Sequence, residues 1–152
     1  MKPALSLFFL LLTSALFSQS TPRDVVISFW NSNIRAIIDL DAETIINQTN
    51  FPLEGSWGYA IELDKTPEEW TKDDYTNNLG KIFNQETRDQ LKQKTYNDLV
   101  HYRNEQGELI YIVNVVFTTR MEDSDDMMES STIFFFKMFD SKWKLYSIEY
   151  AG

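Results

Sequence analysis

Apolar residues recur at three- and four-residue intervals near the start of the chain, between polar residues such as Asp24, Ser28 and Arg35. This spacing predicts an amphipathic helix of about four turns that begins near Pro22. Asp41 then stands as an N-cap before segment 42–46, which predicts a second short helix. The residues of the apolar stripe are Val25, Val26, Phe29, Trp30, Ile34, Ile37 and Ile38.

The segment after these helices, FPLEGSWG at positions 51–58, combines three large apolar residues with one proline and two glycines. We interpret it as a corner where Pro52 ends the second helix and Gly55 and Gly58 allow the chain to turn. Alternation from Trp57 to Leu63 then predicts a short strand. Candidate caps at Thr66 and Thr71 predict a following helix that extends through Phe83.

From position 95 onward the apolar period becomes two, which predicts four strands at 95–103, 109–121, 130–140 and 142–150. Their short linkers favour antiparallel hairpins. The resulting order, α-α-β-α-β-β-β-β, predicts an α+β domain whose N-terminal helices pack on a curved, mostly antiparallel sheet.

The N-terminal composition predicts export. Lys2 precedes an apolar block at positions 4–17, and the small residues Ser18 and Ser20 follow it, as in a secretory signal peptide. The block is too short to span a bilayer of about 30 Å. We therefore expect residues 1–20 to be a signal peptide and residues 21–152 to be a single domain in the periplasmic or extracellular space, with no membrane association after cleavage.

Charge and cysteine content narrow the possible functions. The chain has a formal net charge of −9 and no cysteine. A uniformly acidic domain repels nucleic-acid phosphates and anionic lipids, so we expect no nucleic-acid partner. Without disulfides, an exported domain depends on its core, to which each buried aromatic side chain contributes about 150–250 Å² of buried surface.

Two short motifs add a resemblance to this pattern. Asp39-Leu40-Asp41 separates the first two predicted helices, and Thr71-Lys72-Asp73-Asp74-Tyr75 precedes Lys81-Ile82-Phe83. With the order of elements, they resemble small exported bacterial members of the nuclear transport factor 2-like superfamily, which includes ketosteroid isomerase and SnoaL-like proteins. The resemblance implies a cystatin-like, cone-shaped fold with a pocket that some members use for catalysis and many for binding or dimerisation.

The isomerase chemistry of that superfamily is not matched. The resemblance places Asn31 at the tyrosine donor, Glu54 or Gly55 at the general base and Phe135 at the protonated aspartate. Only Glu54 could perform such chemistry, and the loss of one oxyanion donor typically costs a hundredfold or more in rate. We therefore expect a protein that is not an enzyme.

Metal and cofactor sites are not indicated. The chain has one histidine, His101, and no cysteine, whereas zinc sites need three or four such ligands. The acidic segment 122–129 lacks the glycine and the spacing of an EF-hand loop, so a solvated hairpin tip is favoured over a calcium site. We expect no metal and no cofactor.

The predicted function is therefore non-catalytic binding of a small apolar ligand or a protein partner, through the cone pocket or the sheet face. The alternative is a proton-transfer isomerase or dehydratase that uses Glu54 with Tyr59 or His101, and it requires a buried carboxylate. The candidate pocket residues are Trp30, Phe51, Trp57, Tyr111 and Asn114.

The strand at 109–121 is apolar on both faces, apart from Asn114. Such a pattern predicts that both faces are covered. A homodimer through the open sheet face would supply the second cover and would also bury Ile133, Phe135 and Phe139. The alternative is a thick core in which Asn114 is hydrogen-bonded internally.

Overall fold

The computed structural model describes residues 22–120 and 127–151. The predicted signal peptide, residues 1–20, and most of the acidic segment 122–129 lie outside the described residues.

The predicted first helix forms as three consecutive helical segments: α1 (Pro22–Phe29), a π-helical turn (Trp30–Ile34) and α2 (Arg35–Asp39). It ends at Leu40, whose φ of 52° is left-handed and brings its amide N–H to the carbonyl oxygens of the preceding turn. The Asp41 carboxylate then accepts a hydrogen bond of 3.2 Å from the Thr44 N–H and starts α3 (Ala42–Asn47). The predicted helical hairpin is thus present.

The first strand lies earlier than predicted. Strand β1 (Thr49–Gly55) covers most of the FPLEGSWG segment, and the predicted strand at 57–63 is wrong because its first turn is helix α4 (Trp57–Ala60). Trp57 and Ile61 are buried while Tyr59 is exposed, which is the four-residue period of a helix. Pro52 therefore does not end the second helix but lies within an edge strand, where a missing N–H is tolerated.

The middle of the chain is a series of short helices. A 3₁₀ turn (Pro67–Glu69) is followed by α5 (Lys72–Asn77), α6 (Leu79–Ile82), α7 (Gln85–Lys92) and a second 3₁₀ turn (Tyr96–Asp98). Both predicted caps are present as reciprocal capping boxes, Thr66 with Glu69 and Thr71 with Asp74.

The remaining chain forms β2 (Val100–Arg103), β3 (Leu109–Arg120), β4 (Met127–Phe139) and β5 (Lys142–Ala151). The five strands form one curved sheet in the order β1-β5-β4-β3-β2. Strands β2 to β5 make an antiparallel meander, and β1 joins β5 in parallel. The predicted α+β class, the mostly antiparallel sheet and the order of elements are confirmed.

The core lies between the helices and one face of the sheet, which we call the inner face. Phe29, Ile34 and Ile37 pack there among Val113, Phe134 and other strand residues, all at most 3% exposed. The opposite, outer face also carries large apolar side chains, as the two-residue period of the strand pairing requires. They are Val100, Tyr102, Ile110, Ile112, Val116, Ile133, Phe135, Phe139 and Tyr146.

Candidate functional site

A cavity of about 460 Å³ opens between α1 and the first two strands of the meander. Its lining combines apolar residues of the helix with aromatic and basic residues of the strands. The lining residues are Val25, Val26, His101, Tyr102, Arg103, Leu109 and Tyr111.

A second cavity of about 280 Å³ adjoins the first, because Val26 and His101 line both. It adds Arg23, Tyr96, Asn97 and Leu99 to the lining. We call the two cavities together the α1–β2 groove.

The groove follows from the position of β2 at the edge of the sheet. Within the described residues strand β2 pairs only with β3, with His101 opposite Tyr111 and Arg103 opposite Leu109. Because strand side chains alternate between faces, His101 and Arg103 share the inner face about 7 Å apart, while Tyr102 points to the outer face. The helices leave this inner edge partly uncovered.

Tyr111 forms the aromatic wall of the groove. Its ring stacks on Trp143 at a centroid distance of 4.2 Å and an interplanar angle of 18°, and the Phe29 ring lies 4.9 Å away. The His101 ring meets Tyr111 edge-on at 6.3 Å. Burial raises the pKa of Tyr111, so its hydroxyl is neutral at physiological pH.

Basic groups stand at both ends of the groove. The Arg23 guanidinium donates a hydrogen bond of 3.0 Å to the Tyr96 hydroxyl, and this bond, with a weaker attraction from Asp24, raises the pKa of Arg23. At the other end Arg103 donates a bond of 2.8 Å to the Gly107 carbonyl oxygen. Among the described residues that line the groove there is no Asp or Glu.

Of the candidate site residues proposed from sequence, the structure brings only His101 and Tyr111 into this groove. Trp57 is 1% exposed and lies in the core, where its indole N–H donates to the Leu53 carbonyl oxygen at 3.2 Å. Phe51 is half-buried against the Tyr75 ring at 5.5 Å, and Trp30 packs against the core. Asn114 is exposed on the outer face, so it is not hydrogen-bonded inside a thick core.

Two of the groups proposed for catalysis, Glu54 and His101, are not close together. Glu54 lies on β1 and His101 on β2, and these strands form opposite edges of the five-stranded sheet. Four interstrand steps of about 4.8 Å separate the two strands by roughly 19 Å. Glu54 is exposed, and Tyr59 is 61% exposed beside the Trp70 ring.

The sequence analysis did not propose the other described groove residues as site residues: Arg23, Val25, Val26, Tyr96, Asn97, Leu99, Tyr102, Arg103 and Leu109. Their signal was the alternation His101-Tyr102-Arg103, which places two basic side chains on one face of a strand. What the sequence could not show is that β2 would be an edge strand beside the first turn of α1.

In residues 22–120 and 127–151 no cluster of three or more His, Cys, Asp or Glu side chains could hold a metal ion. Within the same residues no helix has the length and apolarity needed to cross a bilayer.

No family model matches the chain, and no curated protein matches it. Two solved structures are similar at 12% sequence identity and a TM-score of 0.44. One is a designed nuclear transport factor 2-like protein, with 86% of this chain and 100% of that chain covered. The other is described as a calcium/calmodulin-dependent protein kinase II association domain from Xanthomonas campestris, with 90% of this chain and 91% of that chain covered.

Proposed function

We propose that the chain is an exported, non-catalytic domain that binds a small apolar ligand in the α1–β2 groove. The observation that carries this proposal is the main cavity of about 460 Å³, walled by Val25, Leu109 and Tyr111. Small-molecule sites usually measure about 300–1,000 Å³ and combine apolar walls with a few polar groups.

A binding role is supported over the isomerase or dehydratase alternative by the arrangement of the titratable groups. That alternative needs a desolvated carboxylate beside its partner, whereas Glu54 is exposed and lies across the sheet from His101. His101 instead faces a groove whose described lining carries no carboxylate.

The binding proposal can be tested with N-phenyl-1-naphthylamine, a neutral apolar dye that fluoresces when it leaves water. We expect saturable enhancement with the purified domain and a loss of at least tenfold in affinity when Val26→Trp fills the groove. Val116→Trp adds the same bulk on the outer face and serves as the control. Equal binding by both variants, or no saturable binding by the wild-type domain, would reject the groove as an apolar site.

A homodimer through the outer face is the second candidate function, and the distribution of charge favours it. Glu129 and Glu149 lie at one end of this face, and Lys142 and Lys144 lie at the other. In a dimer whose twofold axis passes across the strands, the acidic end of one copy would lie over the basic end of the other. The apolar side chains between the two ends would then be covered. Isologous contacts of this kind are common in homodimers.

Light scattering tests the dimer directly. We expect a dimeric mass for the wild-type domain and a monomeric mass for Val116→Lys, because Val116 is an apolar residue of that face and is 36% exposed. Tyr59→Lys, at an exposed site away from the outer face, should leave the mass unchanged. A monomeric wild-type domain at 100 µM would refute this arrangement.

Export is a separate proposal that rests on residues 1–20. N-terminal sequencing of the protein recovered from its host should give a chain that starts directly after Ser18 or Ser20. A cytoplasmic protein that retains Lys2 would show that the segment does not direct export.

A further inference from the structure

The α1–β2 groove differs in charge from the rest of the chain. The sequence contains 23 Asp and Glu against 14 Lys and Arg. The described lining of the groove nevertheless holds two arginines and the only histidine, with no carboxylate. An apolar cavity whose charged lining residues are arginines complements a ligand of matching polarity and opposite charge.

The two arginines are held in place by hydrogen bonds to oxygen atoms. The Tyr96 hydroxyl accepts from Arg23 at 3.0 Å, and the Arg23 guanidinium also lies 5.9 Å from the centre of the Tyr96 ring. The Gly107 carbonyl oxygen accepts from Arg103 at 2.8 Å. A guanidinium has five N–H donors, so each fixed arginine keeps further donors for a ligand.

The positions of these groups fit an amphipathic molecule. Val26 and His101 lie where the two cavities meet, and the arginines lie at the outer ends, Arg23 in one cavity and Arg103 in the other. The walls between them are apolar and include Val25, Leu99 and Leu109. The hydrocarbon chain or ring of such a ligand can fill the middle of the groove while its acidic group reaches an arginine. A guanidinium matches the geometry of a carboxylate and can bind it through two hydrogen bonds.

We propose that the natural ligand is a small apolar acid, bound with its hydrocarbon part along the groove and its carboxylate on Arg103 or Arg23. This inference rests on the proposed binding function and specifies the chemical class of the ligand.

Calorimetric titration of the domain with three ligands that share one alkyl chain tests the inference: decanoate, decan-1-ol and decylammonium. We expect decanoate to bind at least tenfold more tightly than the alcohol and the ammonium ion to bind most weakly. Arg103→Gln or Arg23→Gln should weaken the binding of decanoate about tenfold, and the double variant should bind decanoate no more tightly than decan-1-ol. The affinity of each variant for decan-1-ol should stay within twofold of the wild-type value. Both side chains are exposed, and thermal unfolding confirms that the variants fold.

Arg35→Gln is the matched control because it removes the same charge at an exposed position outside the groove, where Arg35 pairs with Asp39 at 2.9 Å. It should leave all three affinities unchanged. If decanoate and decan-1-ol bind equally, or if Arg35→Gln weakens decanoate as much as the groove variants do, the acid-specific inference is overturned and the apolar binding function stands. If none of the three ligands binds, both proposals fail.

Discussion

Gly58 provides a sharp test of how the aromatic cluster at the β1 end of the sheet is packed. The Trp70 indole lies directly over Gly58, and a Cβ atom built there would fall 2.6 Å from Trp70 Cδ2 and closer to two other ring atoms. The indole is itself held between the rings of Trp57 and Tyr59, each at a centroid distance of 5.1 Å. Gly58→Ala must therefore displace the Trp70 ring.

The expected magnitude comes from two opposing contributions. Overpacking of a filled site typically costs about 1–3 kcal/mol, whereas replacement of glycine by alanine in a helix normally contributes about 0.5–1 kcal/mol of stability. The net prediction for Gly58→Ala is a loss of roughly 1–2 kcal/mol. A Cβ atom at Gly80, in α6, would meet no atom of the described residues within 4 Å, so the control variant Gly80→Ala should gain up to about 1 kcal/mol of stability.

Urea unfolding followed by tryptophan fluorescence and by circular dichroism measures both free energies. A double-mutant cycle with Trp70→Ala then isolates the contact, because Gly58→Ala should be stabilising rather than destabilising once the indole is absent. The reasoning is refuted if Gly58→Ala is as stable as the wild-type domain, or if its cost is the same with and without Trp70.

Three further predictions concern hydrogen bonds and the core. Hydrogen bonds from Lys65 and Thr71 lower the pKa of Asp74 to about 2. Because the pKa of an aspartate in the unfolded chain is about 4, the ionised Asp74 stabilises the fold fully above pH 4, and this stabilisation is lost as the pH falls from 4 to 2. The difference in unfolding midpoint between wild type and Asp74→Asn should therefore shrink across that range, and a constant difference would contradict the assignment. Tyr75→Phe, which removes a buried bond of 3.1 Å to Thr49, should cost about 1 kcal/mol by urea unfolding; no loss would mean that the bond contributes nothing. Leu91→Ala at a fully buried position should cost about 2–5 kcal/mol in the same assay, and a cost below 1 kcal/mol would indicate that the core collapses around the site.

The helices and the meander could be predicted because their signals are local. The apolar stripe of the first helix and the caps at Asp41 and Thr71 act within a few residues, so sequence spacing determines them. The π-helical turn at Trp30–Ile34 could not be predicted, because it depends on tertiary packing that buries Asn33 with its amide N–H on the Trp143 carbonyl oxygen at 3.0 Å.

Strand β1 was missed for a different reason. It contains Pro52 and Gly55, residues that disfavour strands, and it forms because β5 offers it an edge. Gly55 has a φ of 96°, and a side chain there would collide with the Ile148 backbone. The groove could not be predicted either, because its position depends on the order of the strands, which places β2 at an edge of the sheet. Trp57 and Phe51, which were predicted to line a pocket, pack in or against the core instead.

The parallel pairing of β1 with β5 has a consequence for how the chain acquires its structure. Thr49 lies opposite Leu145, so nearly the whole domain must be synthesised before β1 can pair with β5. Closure of so long a loop slows folding, as in other topologies of high contact order. A newly made chain therefore stays unfolded for longer than a helical domain of the same length would. That delay suits a protein with the proposed export signal, because the signal can be recognised before the domain closes.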